Sequence, residues 1–183
     1  GAVTVCPDAA LQYTIPPEEL RRRTLEISAG AEITPGQVVE TLTNCGYERT
    51  VQVEGPGQFS LRGGILDIFA PEAAGPVRVE FWGDEIDTLS YFDPETQRRT
   101  DDAERLVIGP SAEALVAEPE ILAGKIENMA ASLRGKNAGK ARSILQGEAD
   151  KLRNGLHLGS ADKFISLLYE EGVSTLLDYA GED

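Results

Sequence analysis

In Gly57–Phe69, GQFSLRGGILDIF, an arginine and two glycines stand between runs of alternating apolar residues. The backbone N–H groups of a glycine-rich loop can cradle a phosphate at a helix N-terminus. The pair Gly63-Gly64 can equally close a two-residue type I′ hairpin, in which both central residues take positive φ. No lysine follows the glycines, and Ile65–Phe69 continues as a strand pattern instead of opening a helix. The hairpin is therefore the better reading. With Phe59 and Leu61 packed inward, Arg62 points to solvent at the strand end. There it either pairs with a neighbouring acid or anchors a partner protein, since arginine is enriched among binding hot spots.

Other residues with chemical potential are less specific. Gly135–Ala141, GKNAGKA, resembles a phosphate-binding loop but departs from G-x-x-x-x-G-K-[ST]. Its first glycine lies one residue too close, and Ala141 stands where a magnesium-holding hydroxyl belongs. It reads as a helix–helix connection. His157, the sole histidine, cannot build a multi-histidine metal site and reads as a packed or surface side chain. Asp84, Glu85 and Asp87, and again Asp101, Asp102 and Glu104, form acidic clusters. Paired carboxylates do acid–base work only when held at a set separation in a cleft. These fall on a hairpin turn and a loop, so solvated acids are expected and no catalytic residue is assigned. Cys6 and Cys45 have neither a disulfide framework nor metal-ligand spacing, and read as reduced structural thiols.

The elements that would position Arg62 follow from periodicity. Ala2–Cys6 reads as a strand, Pro7–Tyr13 as a short helix, and Pro16-Pro17-Glu18-Glu19 as a further helix start. Thr24–Ser28 is a strand. Thr34-Pro35 opens a helix, with a hydroxyl at N-cap and proline at N1, and Val38, Val39, Leu42 and Cys45 line one face before Gly46 stops it. Strands are expected at Arg49–Glu54, Gln58–Arg62, Ile65–Phe69, Val77–Trp82 and Glu85–Phe92, the last two joined across Gly83-Asp84. In Val77–Trp82 the residues Val77, Val79 and Phe81 face one way, and Arg78, Glu80 and Trp82 the other. Glu104–Ile108 is one more strand. Helices then follow at Pro119–Leu133, Lys140–Leu152 and Asp162–Tyr169, with a last turn at Thr175–Tyr179. The fold class is α+β: a small, mostly antiparallel sheet with one packed helix, followed by a helical segment.

The formal charge is −14 over 183 residues. Residues 1–110 hold nineteen acids, nine arginines and no lysine. That balance argues against a grip on nucleic-acid phosphates, while an all-arginine basic set suits bidentate contacts at interfaces. No run approaches the roughly 18 apolar residues of a membrane span, and no secretory leader pattern is visible.

The run Gly46–Arg98, GYERTVQVEGPGQFSLRGGILDIFAPEAAGPVRVEFWGDEIDTLSYFDPETQR, resembles the transcription-repair coupling factors. The similarity is to the module that their N-terminal region shares with the excision-repair protein UvrB. GYER, PGQFSLRGGILDIF, PVRVEFWGDEID and FDPETQR stand in the family's order, and Gly147–Glu171 looks like its following helical segment. UvrB shares the GYER start and the turn after the tryptophan; the RGGILDIF wording and the TQR ending look more like the coupling factors, so UvrB itself ranks second.

The resemblance implies a three-part organisation: 1–23 as the end of a truncated helicase-like α/β domain, 24–100 as a UvrA-binding α+β insertion, and 101–183 as the next helical part. The chain would then be cut from a longer one, and Ala2–Cys6 and Glu104–Ile108 would have lost most of their parent sheet. The implied partner is UvrA, contacted through Arg49, Arg62 and Phe69, with Arg78 as a weaker member and Glu48 and Gln58 on the flanks. Ser90-Tyr91 departs from the family where relatives often carry an arginine. RNA polymerase and double-stranded DNA, with ATP and magnesium, belong to the parent translocase in this reading. The chain itself is expected to lack a cofactor, a metal and a motor, to bind little DNA, and to lie in the bacterial cytoplasm. In the parent the UvrA face is covered by another part of the chain; here it would be open.

Overall fold

The computed structural model describes residues 8, 11–156, 158–169 and 172–179. The readings at Ala2–Cys6, including Cys6, and at His157 lie outside the described residues. Two compact units are present. One runs from Glu18 to Ala112; the other is assembled from described residues up to Pro17 and from Glu113 onward.

In the first unit, helix α1 (Pro17–Arg22) leads into strand β1 (Leu25–Ser28), and helix α2 (Pro35–Asn44) follows. Thr34 caps α2 as its type and position require: its Oγ1 accepts from Gln37 N–H, and the Gln37 side chain accepts from Thr34 N–H at 2.9 Å. Gly46, at φ +81, ends the helix as expected. Strands β2 (Glu48–Arg49), β3 (Gln58–Arg62), β4 (Ile65–Phe69), β5 (Val77–Trp82), β6 (Glu85–Phe92) and β7 (Arg99–Asp102) lie side by side in chain order in one sheet. All neighbours are antiparallel except β2, which runs parallel to β3.

Three features differ from the sequence reading. The strand expected over Arg49–Glu54 is only Glu48–Arg49. Beyond it the chain must swing away to bring β3 in parallel, and Val53 turns into the interior while Val51 is left exposed. Strand β8 (Arg105–Ile108) is not stranded without a sheet. It pairs antiparallel with β1, Leu25 opposite Ile108 and Ile27 opposite Leu106, within the same unit. Asp101 and Asp102 lie on edge strand β7 and not in a loop.

The core forms where one sheet face meets α2. Val38 and Leu42 pack against Phe59, Leu66, Ile68, Val77, Val79, Ile86 and Leu89, with Ile27, Leu106 and Ile108 from the β1–β8 ribbon. Alternation puts these residues on one face and leaves the other to Ser60, Asp67, Arg78 and Ser90. Cys45 belongs to the core side, and burial pushes its thiol up, with Arg23 opposing and Glu72 adding to the shift. Native Cys45 is therefore expected to alkylate at least about tenfold more slowly than in the unfolded chain, since only the thiolate reacts. Mass spectrometry of the Cys45 peptide checks this; equal native and denatured rates would refute the burial.

The second unit packs α3 (Pro119–Ser132) against α4 (Ala138–Arg153), with a 3-10 turn (Ala161–Phe164) and a short helix α5 (Ile165–Leu168). Leu122, Ala123 and Ile126 meet Ala149, Leu152 and Phe164. Arg153 bridges the helices by pairing with Glu120 and Glu127. The GKNAGKA stretch makes the α3–α4 connection and the first turn of α4, with Gly135 at φ +104.

Candidate protein-binding face

Strand β4 lies in the middle of the sheet, and its ILDIF sequence places Leu66 and Ile68 in the core. Asp67 therefore projects to the opposite face, and it is fully buried there. A buried carboxylate is tolerated only when paired and hydrogen-bonded. Both flanking strands supply the partners. Arg78, directly opposite on β5, grips Asp67 as a fork: Nε donates to Oδ1 at 2.7 Å and Nη2 to Oδ2 at 2.9 Å. Arg62, at the end of β3, donates from Nη2 to Oδ2 at 2.6 Å. Two cations share one buried anion, and Glu80 on the same face of β5 adds a second negative charge near Arg78.

The two arginines are not equivalent. The side chain of Arg78 is 17% exposed and that of Arg62 is 48% exposed. Arg78 also donates from Nη1 to the Gln97 carbonyl at 3.2 Å, and its guanidinium lies 4.7 Å from the Phe92 ring centroid. The hydrogen bonds to Asp67 raise its pKa further above the usual arginine value. Arg78 is thus locked in place, whereas Arg62 keeps half its surface for another molecule.

The Gln97 carbonyl is itself aimed by backbone strain. Gln97 is the sole non-glycine with positive φ, +61, among the described residues. Asp93 builds the turn that holds it: Oδ1 accepts from the N–H groups of Glu95 and Thr96 and from the Thr96 hydroxyl, and the Asp93 carbonyl accepts from Gln97 N–H at 2.7 Å. The bonds from Thr96, backbone first, hold the Asp93 carboxyl below its ordinary range.

The hairpin that presents Arg62 has a different turn type from the one its dipeptide suggests. Gly63 has φ +62, but Gly64 is not in the positive-φ region. That is the type II′ pattern in place of the expected I′. Gly83 at φ +65, before Asp84, repeats it at the β5–β6 tip.

Of the residues singled out from the sequence, Arg62 and Arg78 meet on Asp67. Phe69 shares the Asp67 alternation on β4 and is half-buried, opposite Gln58. Gln58 caps the local loop by accepting from Glu54 and Gly55 N–H. Arg49 is exposed on β2 but stands in register with core-facing Phe59, so its position belongs to the other face, at the sheet edge. Sequence reasoning passed over Asp67, Phe92 and Gln97. A signal for Asp67 existed: a charge at the centre of ILDIF, with Arg78 opposite it on β5 and Arg62 two positions along β3 from its opposite residue, Ser60. Asp84, Glu85, Asp87, Asp101, Asp102 and Glu104 are all exposed. Among the described residues no group of three or more His, Cys, Asp or Glu could hold a metal ion. No helix among them is long and apolar enough to cross a membrane.

The sheet, its buried carboxylate and its two arginines fall within residues 25–113, which match the UvrB interaction domain. Over those residues the chain is similar to the UvrB interaction domain family. Over nearly its whole length the chain is similar to proteins named transcription-repair-coupling factor. It is 35% identical to that of Bacillus subtilis (strain 168) over 99% of this chain and 16% of the relative. It is 29% identical to that of Myxococcus xanthus, over 97% and 15%, and 31% identical to that of Staphylococcus aureus (strain MRSA252), over 94% and 15%. The chain thus spans about one sixth of the length of these curated relatives. The matched residues cover the six-stranded sheet, α2 and the β1–β8 ribbon.

Proposed function

We propose that the UvrB interaction domain of this chain recruits UvrA, and that it does so in a protein coupling transcription to nucleotide excision repair. The observation that carries the reading is the Arg62–Asp67–Arg78 cluster on a sheet that matches the UvrB interaction domain. A half-exposed guanidinium, oriented by a buried carboxylate, is a pre-positioned donor for a partner's carboxylate. In this reading the chain binds a partner but catalyses no reaction, and needs no cofactor or metal. ATP hydrolysis, translocation on double-stranded DNA and the contact with stalled RNA polymerase belong to the longer bacterial protein, in the cytoplasm.

Calorimetric titration of the chain with UvrA of the same organism tests the proposal. Truncating a buried hot spot typically costs about 2 kcal/mol or more, roughly 30-fold in affinity. Arg62→Ala is expected to weaken binding by that amount, because two Arg78 hydrogen bonds still hold Asp67. Arg62→Glu should abolish it, since like charges would then meet across the contact. Unchanged affinity in both variants would remove Arg62 from the interface.

A further inference from the structure

The Arg62 face does not end at the arginine. The β3–β4 and β5–β6 hairpin tips are neighbours: Phe81 N–H donates to the Gly64 carbonyl at 2.8 Å, and Ile65 stands opposite both Arg62 and Glu80. Arg78, Glu80 and Trp82 alternate with core-facing Val77, Val79 and Phe81 along β5, so Trp82 lies on the arginine side. Trp82 is 82% exposed and Ile65 38% exposed. A Cβ built on Gly63 or Gly83 would meet nothing within 4 Å, so the tips are open. By strand spacing, Trp82 and Arg62 are on the order of 12 Å apart, inside a single standard-sized contact.

A large aromatic held in water on a rigid strand is costly surface unless something covers it, and tryptophan and arginine are the residues most enriched at hot spots. We infer that Trp82 is the apolar anchor of the same contact: the occupant is a protein surface offering a carboxylate to Arg62 and, beside it, an apolar pocket for the indole, with Ile65 at the pocket rim. Two features select a protein over nucleic acid, where an aromatic could stack on bases. The tip also carries exposed Asp84 and Glu85, and the chain is strongly acidic, so phosphates are repelled where the indole sits. The inference rests on the reading that this face receives UvrA.

Trp82 is the sole tryptophan. The whole chain carrying 5-fluorotryptophan therefore shows one fluorine resonance, and that resonance reports Trp82 directly. Adding UvrA should shift it and remove its H2O/D2O isotope effect. Trp82→Ala should weaken UvrA binding about 30-fold without changing the melting temperature. If UvrA binds and Arg62→Glu blocks it, yet Trp82→Ala binds normally and the resonance stays still, Trp82 is outside the contact and the arginine reading stands. If wild type does not bind UvrA at all, both fall. If a DNA duplex alone moves the resonance, the surface serves nucleic acid and the inference is overturned.

Discussion

Asp67→Asn is expected to lower the melting temperature of the sheet unit by more than about 10 °C and to abolish UvrA binding. Asparagine keeps the shape but removes the charge that two guanidinium groups share. Arg78 then sits largely buried with its cation uncompensated. Breaking a buried pair by removing one partner costs about 3–5 kcal/mol, and each kcal/mol moves the transition of a domain this size by about 4–8 °C. Arg62 contributes less to that loss because it is half exposed, but it loses the group that aims it. Calorimetry of the whole chain measures the first effect, and titration with UvrA well below the transition measures the second. A variant that melts like wild type would show that the carboxylate does not hold the arginines. A variant that melts early yet binds UvrA normally would show that Arg62 needs no orienting.

Phe59→Ala should destabilise by a similar amount through different physics. Phe59 is 1% exposed between α2 and the sheet, among Leu66, Ile68 and Val79. Truncating a buried phenylalanine costs about 3–5 kcal/mol, the lost transfer free energy plus the cavity left behind. The charged face lies across the sheet from that cavity, so affinity for UvrA measured on the folded protein should be unchanged. Urea unfolding should show a lower midpoint with the same slope, because the area exposed on unfolding barely changes. A loss below about 1 kcal/mol would mean that the core closes over the gap. The pair of variants separates stability from recognition: both weaken the fold, and only Asp67→Asn disables the face.

Local signals carried much of this architecture. Thr34-Pro35 and the spacing of Val38 and Leu42 announce α2. The β3–β4 and β5–β6 hairpins are legible because glycine at a turn leaves few alternatives. What local pattern cannot carry is pairing between distant segments. Strand β8 reads as an orphan because its partner, β1, lies at the far end of the unit in sequence. The turn at Gly63-Gly64, read as type I′ from its dipeptide, differs for a related reason. Either glycine can take positive φ, and the choice depends on β5, whose Phe81 N–H bonds to the Gly64 carbonyl. The same holds for the site. Arg62 and Arg78 stand out by type, but only the register shows that both converge on Asp67, and only the register assigns Arg49 to the other face.

The β1–β8 ribbon has a mechanical consequence. Leu25 opposite Ile108 is its outermost pair, so the chain enters and leaves the ribbon side by side. Tension applied between those two points would run through the ribbon and return, leaving the residues between Ser28 and Arg105 slack while any pair holds. The ribbon would yield like a zipper, one pair at a time, and the parting pairs would draw Ile27, Leu106 and Ile108 out of the core. A pull along the backbone, such as a moving neighbour could impose, would be met by these pairs before it reached the strands that carry the arginines.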